Sequence, residues 1–127
     1  MAFKLHATPG ATAVVNKQYL FPIVEAGPGR QFMYVTADAH TTVDGSGYID
    51  LANKATQGDQ PQKALNMLRH GDLIWVYTVA SISDARNIEA DMKAGVTSIA
   101  LLAVLDNNGT WIDLSADLLA GTVTYGD

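Results

Sequence analysis

A mainly β domain, an antiparallel β-sandwich or barrel of the jelly-roll kind with one or two short helices, follows from three features of this sequence. Leu73–Ala80 and Ser98–Leu105 are apolar and strand-sized, as strands buried on both faces are. Gly27-Pro28-Gly29 and Asp106-Asn107-Asn108-Gly109 stand as turns between aromatic or β-branched runs, the arrangement of hairpins. Helical spacing is confined to two short stretches near residues 59–71 and 83–95. At 127 residues the chain is sized for one domain, 1–127, and can bury a core without a disulfide or metal.

Residues 1–17 have no sustained period and carry a Pro9-Gly10 turn, which predicts an edge strand or an extended N-terminal arm. Tyr19–Val24 reads as a strand, and Pro22 sends it to an edge or gives it a bulge because proline lacks a ladder donor. After the turn at Ala26–Gly29, Gln31–Thr36 pairs back on it, with Phe32, Tyr34 and Thr36 on one face and Met33 and Val35 on the other. Thr41–Gly47 reads as a loop, and Tyr48–Leu51 as a short apolar segment before the polar stretch Asn53–Gln60. Asp59 or Gln60 caps a helix with Pro61 in its first turn and Gly71 as its stop. Ala64, Leu65 and Leu68 form its docking face, since so short a helix does not stand alone.

Leu73–Ala80 is the central strand. Ser83-Asp84 opens a second helix that runs to about Lys93 and stops at Gly95. Ser98–Leu105, the Asn-Gly turn and Thr110–Leu114 then make a hairpin, with Trp111 packed into the core. In the remainder, 117–127, Val123 and Tyr125 supply a last short strand.

Composition narrows the chemistry. Cysteine is absent, which excludes thiolate metal sites and thiol nucleophiles. The net charge of −5, with eight scattered basic residues, does not suit nucleic acid. His6, His40 and His70 have no i,i+4 pairing, and His70 reads as a carbonyl-capping residue at a helix end. No G-x-S-x-G, Walker or dinucleotide motif occurs, and Asp44-Gly45-Ser46-Gly47 is a turn. The expectation is no catalytic, cofactor-binding or metal site. The one grouping open to a ligand-binding or enzymatic reading is Asp38, His40 and Tyr48. Met1–His6 is not a signal sequence, and no apolar run approaches the ~20 residues of a membrane span. The chain is thus expected in the cytoplasm where it is made, with no membrane partner. Asn108-Gly109-Thr110 spells a glycosylation sequon, but hairpin geometry explains it. Charged residues make up only 17%, against roughly a quarter in ordinary soluble domains. Together with two strands apolar on both faces, that shortage leaves two readings: the short helices cover the second face, or other protein does, in a homo-oligomer or a larger lattice.

One segment carries a resemblance. Gly47-Tyr48-Ile49-Asp50-Leu51-Ala52, followed by Ala64-Leu65 and Leu68-Arg69-His70-Gly71-Asp72-Leu73-Ile74-Trp75-Val76-Tyr77, resembles a pattern of small tailed-bacteriophage virion proteins of the capsid decoration (cement) or head-fibre type. It spans about the middle quarter of the chain, with weaker echoes in Asp106–Leu114. The resemblance implies a β-rich, non-enzymatic virion protein that binds the major capsid protein or another virion protein and has no cofactor. The interface residues it brings forward are Gly71, Asp72, Trp75, Tyr77, Tyr48 and Trp111. A tail or fibre attachment module is the neighbouring expectation.

Overall fold

The two longest apolar runs become neighbouring antiparallel strands at the centre of one sheet in the computed structural model, which describes residues 3–5, 18–24, 29–83 and 86–124. The strands are β1 (Leu20–Val24), β2 (Gln31–Thr36), β3 (Leu73–Val79), β4 (Val96–Asn107), β5 (Ile112–Leu114) and β6 (Leu119–Thr122). Their order is β1-β2-β3-β4, and β4 is long enough to pair with both β5 and β6 along its far edge. Four short helices lie in the connections: α1 (His40–Val43), α2 (Lys54–Gln57), α3 (Gln60–Met67) and α4 (Ile88–Lys93). The fold is mainly β, as expected. The sheet is open, however, and does not close into a barrel. Its β2–β3 pair is parallel, and parallel neighbours need a long crossover where antiparallel ones need only a turn. Residues 37–72 make that crossover, which is why helices exceed the one or two expected.

Local rules account for most of the strands. Pro22 leaves β1 at the sheet edge, and the register slips between Pro22 and Val24 as a bulge. Phe32, Tyr34 and Thr36 point into the core from β2. Gly29 has a φ of +76° where the chain enters β2, while residues 25–28 of the expected turn lie outside the described residues. Gly109 has a φ of +85°, and Asn108 Oδ1 accepts from the Thr110 and Trp111 amides at 2.9 and 3.0 Å. That locks the β4–β5 hairpin predicted from Asn-Gly.

Helix boundaries differ from expectation for physical reasons. Within the expected loop Thr41–Gly47 the chain makes a single turn, α1, with Val43 buried. α3 carries Pro61 in its first turn but ends at Met67, where Leu68 turns extended. Gly71 is therefore not its stop, and His70 is exposed beyond it. Other elements satisfy the last carbonyls of α3: Asn107 Nδ2 donates to Leu65 O and Leu68 O, each at 2.8 Å, and Arg30 Nη2 donates to Met67 O at 2.7 Å. With its orphan acceptors met from outside, the helix needs no glycine cap. α4 starts after Asn87, whose side chain accepts from the Ala90 amide at 2.7 Å, so Ser83 is not its cap. Asp84 lies outside the described residues. Ser83 instead donates its amide to the fully buried Asp91 at 3.3 Å, beside Arg86 at 2.9 Å. The last strand, β6, comes earlier than Val123–Tyr125, and Tyr125 lies outside the described residues. Trp111 is 40% exposed, a correction to its expected core position. The alternation of β5 sends Ile112 and Leu114 inward.

The core lies between one face of the sheet and the crossover. Phe32, Tyr34, Ile74, Val76, Leu102 and Val104 meet Val43, Tyr48, Ile49, Ala64, Leu65 and Leu68 there. From the 1–17 stretch, Phe3 and Leu5 are buried in this same core, and Leu5 is held by Gln60 Oε1 at 2.7 Å and the Tyr19 amide at 2.8 Å. Residues 6–17 lie outside the described residues.

A largely buried ion pair, with side-chain exposures of 15% for Arg30 and 3% for Asp72, joins the starts of the two parallel strands. Arg30 precedes β2 and Asp72 precedes β3, and they pair in two contacts, Nη2–Oδ2 at 2.6 Å and Nε–Oδ1 at 3.3 Å. Asp72 Oδ2 also accepts from the Arg69 amide at 2.8 Å, and Arg30 lies 5.0 Å from the Phe32 ring centroid. Removing one partner strands the other, because a buried charge without its mate is costly. Arg30→Met is expected to lose about 3 kcal/mol of unfolding free energy in urea titrations. Arg30→Met combined with Asp72→Asn is expected to lose less than the two single losses together.

Candidate functional site

The two faces of the sheet are treated differently by the chain. The inner face is closed by the crossover, whereas among the described residues the outer face has α4 alone, near one end. Strand register places Phe21, Met33, Trp75, Leu101 and Leu119 in one continuous row across five strands of that outer face. Beside it run Gln31–Leu73–Ala103 and Val35–Tyr77–Ile99. No side chain in these rows is charged. Val35 is buried, while Met33, Leu73, Trp75, Tyr77, Ile99 and Leu101 are half-buried and Leu119 is 61% exposed. Where a sheet face meets water, the alternating positions are ordinarily polar. Here both phases of β3 and β4 are apolar.

At the β1 end of the row the face deepens into a groove of about 610 Å³ between the sheet and α4. Phe21, Met33, Ile88, Met92 and Val96 form its apolar walls, with Glu89 and Lys93 as charged lining. At the opposite end Leu119 protrudes, 61% exposed, with the 53% exposed Leu118 next to it in the chain. A hollow and a protrusion thus terminate the same uncharged row. A second concavity of about 380 Å³, lined by Leu51, Lys54, Gly58, Asp59 and Gln62, lies on the crossover side.

The expected interface residues do not form one patch. Trp75 and Tyr77 lie on the outer face, and Trp75 Nε1 donates to Gln31 Oε1 at 3.0 Å. Gly71 and Asp72 belong to the β2–β3 junction: Gly71 takes a φ of +90° and its amide donates to Val104 O at 2.9 Å. A side chain at 71 would meet nothing within 4 Å, so the left-handed backbone, not space, calls for glycine. Tyr48 is in the core, and Trp111 sits at the exposed end of the hairpin. Local reading missed Phe21, Met33, Leu101 and Leu119 as parts of one row. Their join depends on strand register, although the apolar alternation in each strand was its visible signal.

Asp38 and Tyr48 do come together. Tyr48 Oη donates to Asp38 Oδ2 at 2.8 Å and lies 2.7 Å from Tyr34 Oη. With the Tyr48 hydroxyl hydrogen directed at Asp38, Tyr34 must donate to Tyr48, and the Lys4 amide donates to Tyr34 at 3.4 Å. Thr78 Oγ1 donates to Asp38 O at 2.9 Å, tying the chain to β3. This network is buried, and it anchors the crossover and the N-terminal residues to β2. His40 lies outside it: its Nδ1 pairs with Asp117, 2.8 Å away and 77 residues on. Near that pair, burial and then the Asp117 charge raise the carboxyl pKa of Asp44, while His40 opposes the shift. Among the described residues no three His, Asp or Glu side chains gather as a metal site, and no helix is long and apolar enough to cross a membrane.

Burial, chiefly, pushes both phenols above the ordinary tyrosine value of 10.0, and the Asp38 charge adds to it. The folded chain keeps these protons where the unfolded chain sheds them, so stability is present below about pH 10 and falls as pH rises past it. Tyr48→Phe is expected to cost about 1–3 kcal/mol at neutral pH by leaving Asp38 without its donor. It should also flatten the alkaline decline, read from urea titrations between pH 8 and 11.

No known protein family, curated protein or solved structure matches this chain.

Proposed function

We propose that this chain is a non-enzymatic structural component of a bacteriophage particle, a capsid decoration protein that binds and stabilises the assembled shell. The observation that carries this reading is the uncharged outer sheet face, a broad apolar surface of the kind that marks contact with protein. The Gly47–Ala52 and Ala64–Tyr77 pattern supplies the phage context. The buried acids Asp38, Asp72 and Asp91 serve internal hydrogen bonds, and binding needs no reactive group.

A decoration protein works by linkage. It binds the assembled shell and not the separated capsid subunits, so each occupied site favours assembly, by about 2.7 kcal/mol when the free protein stands at a hundred times its dissociation constant. A fibre or tail attachment module would use the same kind of surface in few copies per particle.

Particles assembled without this chain, then supplied with it, test the proposal. Saturable binding and a higher temperature of shell disassembly by light scattering are the expected result. Unbound protein and an unchanged disassembly temperature would overturn it. Binding limited to a few copies would favour the attachment module.

A further inference from the structure

We infer that the outer sheet face is covered by a second copy of this chain, packed face to face about a two-fold axis so that the protruding Leu119 of each copy enters the α4 groove of the other. The inference rests on the reading that this face is a protein contact, and it names the partner.

The first support is self-complementarity within one chain. The row Phe21–Met33–Trp75–Leu101–Leu119 has a hollow at one end and its most exposed leucine at the other. A two-fold axis in the plane between two sheets, along the strands, exchanges left and right as it exchanges the copies. It therefore sets the β6 end of one row over the β1 end of the other, twice, as an isologous contact requires. Trp75, at the middle of the row, falls near the axis, where binding energy concentrates in interfaces.

The second support is electrostatic. Each copy carries a net charge of −5, which opposes self-association wherever that charge is presented. The rows of the outer face present none, and β6 adds none, since it reads Leu119-Ala120-Gly121-Thr122. The charged side chains lining the groove, Glu89 and Lys93, are opposite in sign and exposed. Two such faces meet without like-charge repulsion.

Area sets the strength. The rows hold five, three and three side chains, and at about 4.8 Å between strands and about 7 Å between rows they give a flat footprint of roughly 370 Å². Side-chain relief and the groove bring this towards the ~800 Å² per partner of a standard interface, without exceeding it. A contact at the small end of the range belongs to weak, reversible association, so the dimer is expected to dissociate on dilution.

Sedimentation equilibrium reads this directly. At tens of micromolar the protein should have twice its 13.5 kDa chain mass and lose it on dilution. Leu119→Lys changes an exposed side chain and should leave the circular dichroism spectrum unchanged while weakening the dimer at least tenfold. Geometry is tested separately, which the absence of native cysteine makes clean. Phe21→Cys combined with Leu119→Cys puts thiols at opposite ends of the row, about 19 Å apart in one chain. That is too far for an internal disulfide, so oxidation should give a covalent dimer only for the double variant. A monomer at 100 µM, an undiminished Leu119→Lys dimer, or cross-linking by Leu119→Cys alone would each overturn the inference. A monomer that still binds particles would leave the decoration role standing, and a dimer that binds none would leave only the dimer.

Discussion

The Arg30–Asp72 pair occupies the two positions from which the parallel strands depart. Parallel neighbours have no turn between them to fix their register, so something at the start of both must do it. Arg30 and Asp72 meet through two contacts, and the Leu73 amide donates to Arg30 O at 2.9 Å, setting Gln31 opposite Leu73. Around the same junction, Met67 O receives Arg30, the Val104 amide reaches Asp72 O at 2.8 Å, and Gly71 returns a bond to Val104. The end of α3, the starts of β2 and β3, and the outgoing half of β4 are therefore held at one point. A buried ion pair is a poor source of net stability because both charges lose water. Its value here lies in geometry: a one-residue slip would turn Ile74 and Val76 out of the core.

That constraint explains the asymmetry of the molecule. With β2 and β3 parallel, residues 37–72 must travel the length of the sheet, and they do so across one face, carrying α1, α2 and α3. The chain between β3 and β4 is short, and α4 within it is six residues. It is too small to cover the other face and forms only the wall of a groove. The inner face has a continuous core, and the outer face keeps its apolar side chains in partial contact with water.

What could be read from the residues follows the range over which each effect acts. Pro22 at an edge or bulge, the shared face of Phe32, Tyr34 and Thr36, Pro61 at a helix start and the Asn108-Gly109 hairpin are decided within a few residues, and they were legible. The parallel pairing was not, because its determinant joins Arg30 to a residue 42 positions away. The end of α3 depends likewise on Asn107, and His40 on Asp117. Gly71 was rightly marked as a special backbone position leading into β3, but α3 ends earlier, at Met67, so it is not the helix stop. Trp111 shows a different failure: its size suggested the core, while the alternation of Ile112 and Leu114 had already assigned it outward. Of the candidate site, the apolar content of each strand was visible, and the row it builds was not.

The expectation of a sandwich came from β3 and β4 being apolar in both phases, and a single chain uses only one of them. A sheet with one solvated face would carry lysine, glutamate or threonine where this chain has Leu73, Trp75 and Tyr77 opposite Ala103, Leu101 and Ile99. Aromatic and aliphatic side chains at such positions cost solubility and, half-buried, give the isolated fold only part of their burial. The rest of that burial, at about 25 cal/mol per Å², comes only if another surface arrives. The low charge of the chain consequently has a location. Its uncharged rows lie on the outer face, so the pattern that reads as a two-layered β domain belongs to one sheet with one face covered by the crossover and the other apolar and partly exposed.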